Sequence, residues 1–168
     1  MRSPRRTRPP VEVGAGERLL AWVPVDDGGG WVAGTRDALY LPSSRVPWEQ
    51  VQAADWDRDE GRLRVSEVGT WGEPRPQYAF TIPDSAAKDA DRLLQLVRER
   101  VTASVLLSRH VPVTERRGVR IVARRAPAGR SEVLWLYEFD EGIDPDDAFV
   151  RAAAETALAA AKADVGLP

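Results

Sequence analysis

Turn chemistry interrupts the chain at short, regular intervals between Glu17 and Ile82, and that spacing restricts this half to short antiparallel strands. Residues 17–25, ERLLAWVPV, read as a first strand ending at Asp26-Asp27-Gly28-Gly29-Gly30, where glycine supplies positive φ at little steric cost. Strands are predicted at Trp31–Gly34 and Ala38–Leu41, with a tight turn at Thr35–Asp37 between them. Residues 46–56 read as one long strand, bent or bulged near Pro47, with Trp48, Val51 and Ala54 inward. The turn at Asp57–Gly61 returns the chain along 62–68, where Leu63 and Val65 alternate with Arg62, Arg64 and Ser66. A loop over 70–76 carries Trp71, and 77–82 form a sixth strand with Tyr78, Phe80 and Ile82 on one face.

The period then changes. Ala90, Leu93, Leu94, Val97, Val101, Val105 and Leu106 recur at helical steps, which predicts an amphipathic helix over 85–108. Trp22, Trp48, Leu63, Phe80, Leu93, Leu94 and Val97 are the expected common core. A hinge is expected at His110–Pro112. Residues 118–126 and 132–140 then alternate as strands and predict an antiparallel hairpin across Pro127–Arg130. A last helix is expected from an Asp144 cap, with Pro145 at its first position, to Gly166. Its small-residue face, Ala152, Ala153, Thr156 and Ala160, is expected to cover Val133, Trp135, Tyr137 and Phe139. An exposed hairpin edge would offer unpaired backbone groups to a partner or a second copy.

Short strands followed by a long amphipathic helix resemble the pleckstrin-homology superfold. Trp31-Val-Ala-Gly-Thr-Arg-Asp-Ala-Leu-Tyr-Leu41, Val46-Pro-Trp-Glu-Gln-Val51 and Trp56-Asp-Arg-Asp59 with Leu63-Arg-Val65 are similar to pleckstrin-homology-like domains of actinobacteria. The resemblance covers residues 17–108 and implies an α+β fold: an antiparallel barrel or sandwich closed by a helix. Composition makes 1–12 an expected disordered tail rich in arginine and proline; the resemblance implies 13–110 as the barrel with its helix, and 111–168, an extension that the basic fold lacks, is expected to add a hairpin and helix on the same core. Lipid-binding members of the superfold hold phosphoinositide with basic residues around the first hairpin. Asp26 and Asp27 stand there instead, so no such site is expected.

Composition narrows the function classes. The 168 residues contain no cysteine, which removes disulfides, thiolate metal sites and thiol nucleophiles. His110 is the one histidine, with no Gly-x-Ser-x-Gly elbow to serve, so neither a catalytic relay nor a histidine metal site is expected. The acidic run Glu138–Asp147 lacks calcium-loop spacing, and helix capping accounts for Asp144, Asp146 and Asp147. No segment supplies the roughly 20 apolar residues of a membrane span. The Arg5-Arg6 pair precedes no apolar export segment, so a cytoplasmic setting is expected.

Charge is unevenly distributed although the net is −2. Residues 109–130 hold seven arginines against one acid, and 132–164 hold nine acids against two bases. Neutralisation across the hairpin, Arg120 and Arg124 against Glu138 and Glu132, is the simpler account. The alternative is an anion- or nucleic-acid-binding face built on Arg116, Arg117, Arg120, Arg124 and Arg125. No aromatic residue is interleaved in 109–130, which counts against single-stranded nucleic acid. The expected role is therefore non-enzymatic, cofactor-free protein recognition or scaffolding, with a homodimer as one form of it.

Overall fold

The computed structural model describes residues 9–71, 74–129 and 132–166. β1 (Ala21–Pro24), β2 (Trp31–Gly34), β3 (Ala38–Leu41) and β4 (Ser44–Pro47) form a four-stranded meander. β5 (Val51–Asp57), β6 (Arg62–Glu67) and β7 (Gln77–Thr81) form a second sheet. α1 (Ala87–Ser104) follows, then β8 (Val105–Thr114), β9 (Arg117–Arg124) and β10 (Leu134–Phe139), a third sheet in the order β10-β9-β8. α2 (Ala148–Val165) comes last. All paired strands are antiparallel, and the fold is α+β. The three sheets are separate, so the expected closed barrel is not formed. Among the described residues no helix is long and apolar enough to cross a membrane.

The strand expected over 46–56 is two strands in different sheets, joined by one 3-10 turn at Trp48–Gln50. Pro47 has no N–H with which to continue a ladder. The turn also swings Trp48 into the core, where it is fully buried and its indole N–H donates to the Thr35 carbonyl at 3.1 Å. A register shift does occur, but between Val51 and Ala53. The first two sheets are further tied by the β1–β2 loop. Asp26 N–H donates to the Thr81 carbonyl at 2.9 Å, and Thr81 N–H donates to Asp27 Oδ2 at 2.6 Å.

α1 packs against β1 and β5 and so bridges both sheets. Its buried Leu93, Leu94 and Val97 meet Val23, Leu39, Trp48, Leu63 and Val65, with Phe80 partly buried beside them. Trp22 does not join this core. It packs on the other side of the meander with Leu19, Ala33, Ala38 and Tyr40. Strand alternation then sends Ala21 and Val23 toward α1. The helix demands small residues there: Ala21 pairs with Gly34, and a Cβ on Gly34 would lie 2.5 Å from Leu96 Cδ2.

The helix expected over 85–108 ends at Ser104, and residues 105–108 open β8. The expected hinge at His110–Pro112 lies inside that ten-residue strand. Val105-Leu106-Leu107 fits either periodicity, and β9 decides it by pairing with Val105 and Leu107.

The β9–β10 hairpin forms with the register Leu134↔Arg124 through Phe139↔Val119. Its expected turn includes Arg130, which lies outside the described residues. Trp135, Tyr137 and Phe139 are covered by α2 and also by Trp71, whose ring meets Tyr137 and Phe139 edge-on at 4.7 Å each. The cap of α2 is Asp147 rather than Asp144: Asp147 Oδ1 accepts from Phe149 N–H at 2.8 Å and Val150 N–H at 3.1 Å. Asp144 instead accepts from Asp146 N–H at 2.9 Å in the turn before the helix. Gly166 ends it in the left-handed region at φ 60°, as its position suggested. Asp147→Ala should cost about 1 kcal/mol in urea unfolding, and Asp144→Ala less.

Pro9 is buried, and Val11 and Val13 pack on the meander, so chain assigned by sequence to the tail or its margin rests on the fold. Residues 1–8 of that tail lie outside the described residues. Glu17 secures the segment, with its side chain 7% exposed. It accepts from Tyr40 Oη at 2.7 Å, Thr35 Oγ1 at 2.8 Å and the Arg45 guanidinium. Burial favours its neutral form, but the hydrogen bonds from Tyr40, Arg45 and Thr35 outweigh this and hold the carboxyl below its ordinary value of 4.5. A folded-state pKa below the unfolded one stabilises above the unfolded value and loses that contribution as pH falls through the folded one. Glu17→Gln should therefore lower the urea midpoint at pH 7 and shrink its fall between neutral and acid pH.

Candidate functional site

Alternation along β9 disperses the arginines that sequence placed on one face. Val119, Ile121 and Ala123 form one row, with Val119 and Ile121 packed under α2, while Arg120, Val122 and Arg124 form the other. Arg120 is half exposed, 4.0 Å from Glu138 Oε2 and 3.4 Å from Ser108 Oγ. Arg124 is 4% exposed and donates to the Val51 carbonyl of β5. Burial pushes its guanidinium below the usual value, with the charge of Glu138 opposing. Arg116 and Arg117 are exposed at the β8–β9 tip, whereas Arg125 follows the far end of β9 and its backbone N–H donates to the Ser104 carbonyl at 2.8 Å. Eight strand residues separate the two ends, about 26 Å. Arg109 lies under α2, paired with Asp164 at 2.8 Å.

His110 staples the third sheet. Its Nε2 is 2.7 Å from Asp140 Oδ2, which also accepts from Gly118 N–H at 2.7 Å. The bonds from His110 and then Gly118 hold the Asp140 carboxyl below its usual range. These contacts join β8, β9 and the residue after β10. Among the described residues no group of three or more His, Cys, Asp or Glu side chains could hold a metal ion.

The most distinctive surface lies on α2. The expected packing face, Ala152, Ala153, Thr156 and Ala160, is turned outward. Val150, Ala154, Ala157 and Ala161 are buried instead. Their spacing is also helical, with Val150 as the one residue of that row larger than alanine. Phe149, 69% exposed, stands at one end of the outward face. Phe149, Ala152, Ala153, Thr156, Ala157 and Ala160 line an open groove of about 480 Å³ with Arg109 and Val111 of β8. Sequence carried a signal for it: one aromatic residue begins a helix whose two faces are both made of small side chains.

β8 borders the groove and is an edge strand of its sheet. Pro112 lies within it, and its register with β9 shifts between Val105 and Leu107 and again between Pro112 and Thr114. These features blunt an edge against strand addition.

The sequence matches no protein-family model and none of the curated proteins with which it was compared.

Proposed function

We propose that this chain is a non-enzymatic, pleckstrin-homology-like recognition domain of the cytoplasm, and that its docking face is the groove between α2 and β8. Four- and three-stranded antiparallel sheets bridged by α1 support the fold comparison. One observation carries the functional reading: Phe149, Ala152, Thr156, Ala159, Ala160 and Ala163 are all exposed on a long capped helix. A solvated helix face is ordinarily charged or polar, and a contiguous apolar one marks a binding surface. Helix-in-groove docking uses such rows at three- and four-residue steps.

Anion binding through the arginines is the less supported alternative. Arg124 is enclosed, and Arg109 and Arg120 have carboxylate neighbours, which leaves Arg116 and Arg117 at one end and Arg125 at the other. Ala153→Arg/Ala160→Arg, shown to be folded by circular dichroism, should reduce protein captured, second copies of the chain included, from a lysate of bacteria that express the chain untagged about tenfold or more, because each arginine would need desolvating in the contact. Arg116→Ala/Arg117→Ala should capture as the wild type does. The reverse pattern, with a steep salt dependence, would move the function to the hairpin tip.

A further inference from the structure

We propose that the occupant of the groove is α2 of a second copy of this chain, packed antiparallel across a two-fold axis near Thr156. The proposal rests on the groove being the docking face. A two-fold contact uses one patch twice, so knob and hole must lie on the same surface. α2 meets that condition. Phe149 projects at one end, and only the small side chains of Ala160 and Ala163 stand exposed at the other. Phe149 and Ala163 each lie about 10 Å from Thr156 along the helix, in opposite directions. Rotation about Thr156 therefore lowers each Phe149 toward Ala160 and Ala163 of the partner subunit.

Side-chain size selects the same occupant. Methyl groups bury little against a flat or long-chained surface. Two small-residue helices can approach to the close end of the usual 8–10 Å interaxial range and bury the whole row. The outward row from Phe149 through Ala163 holds no charge that would be left unpaired between the copies.

Charge fixes the direction. Arg109 lines the groove at the C-terminal end of α2, where it holds Asp164, while Asp144, Asp146 and Asp147 stand at the N-terminal end with Arg151, 3.4 Å from Asp146, as the cation among them. Antiparallel packing carries the acidic end of one helix toward the partner's Arg109 and opposes the helix dipoles. Parallel packing would bring the acidic ends together.

The test uses the full chain, and the absence of native cysteine makes it direct. Sedimentation velocity of the wild type should give the mass of a dimer. Thr156→Cys should form a disulfide-linked dimer on mild oxidation, since facing residues of closely packed helices fall within disulfide reach. Lys88→Cys, exposed on α1, should not. Ala153→Arg/Ala160→Arg should sediment as a folded monomer. A monomeric wild type, a dimer indifferent to the arginine pair, or equal cross-linking through Lys88→Cys would overturn the proposal. If the arginine variant fails to fold, the two cysteine variants decide the matter alone. A monomeric wild type whose groove variant still loses lysate capture would remove the second copy and leave the docking face standing. Capture that is also unchanged would remove both.

Discussion

Replacing Trp48 with alanine should lower stability by about 3–5 kcal/mol, read as a shift in the urea midpoint. Trp48 is the largest fully buried side chain and sits where the chain passes from the first sheet to the second. Its removal would open a cavity beneath α1 and withdraw the donor from the Thr35 carbonyl. Domains of ordinary size hold only 5–15 kcal/mol in total, so the variant should be partly unfolded at 37 °C. Trp48→Phe should retain much of the packing and lose the hydrogen bond, costing about 1–3 kcal/mol for the unpaired carbonyl, plus a smaller packing loss. Equal losses for the two would mean that the indole volume is not what supports the corner.

Gly118→Ala should damage the third sheet by a different route. A Cβ there would lie 1.9 Å from the Val111 carbonyl oxygen and 2.8 Å from Pro112 Cα. Both are backbone atoms and cannot rotate aside. Moving them would disturb the His110–Asp140–Gly118 staple as well as the register shift after Pro112. Overpacking of this kind costs about 1–3 kcal/mol, and more where backbone must shift. Hydrogen exchange should accelerate in β8 and β9 well before α1. Gly129→Ala is the control, since nothing lies within 4 Å of its added Cβ, and it should be close to neutral. Unchanged exchange in β8 and β9 for Gly118→Ala would show that β8 and β9 do not depend on that close approach.

Much of the local structure is legible in the sequence because turns and periods are local signals. Trp31–Gly34 and Ala38–Leu41 coincide with β2 and β3, and the alternation of Leu63 and Val65 correctly gives the inward face of β6. Less legible are choices made by distant residues. Trp22 looks like core by size, but the Ala21–Gly34 pair accommodates the close approach of α1 and sends the indole to the other face. Val105 to Leu107 satisfies a helix and a strand equally, and only the long-range pairing with β9 settles it. The single strand read across Pro47 fails for a similar reason: the 3-10 turn is fixed by where Trp48 must be buried.

The same distinction governs the candidate site. The arginine cluster is a property of the sequence, and a strand period of two divides it between faces and ends, with Arg124 enclosed. The apolar face of α2 was legible as small residues at helical spacing. Which of its two rows would meet β9 was not, because both fit the helical period and the larger apolar group, Phe149, stands on the row left exposed.

Thiol accessibility at Thr156→Cys in living cells tests the central claim most directly. The chain supplies no competing cysteine, and position 156 is exposed at the middle of the groove. A bulky maleimide should label this variant slowly in cells and rapidly in purified protein diluted far enough to release any partner, while Lys88→Cys on α1 labels rapidly in both. Rapid labelling of Thr156→Cys in cells, equal to that of Lys88→Cys, would show the face uncovered and would contradict its role as a docking surface.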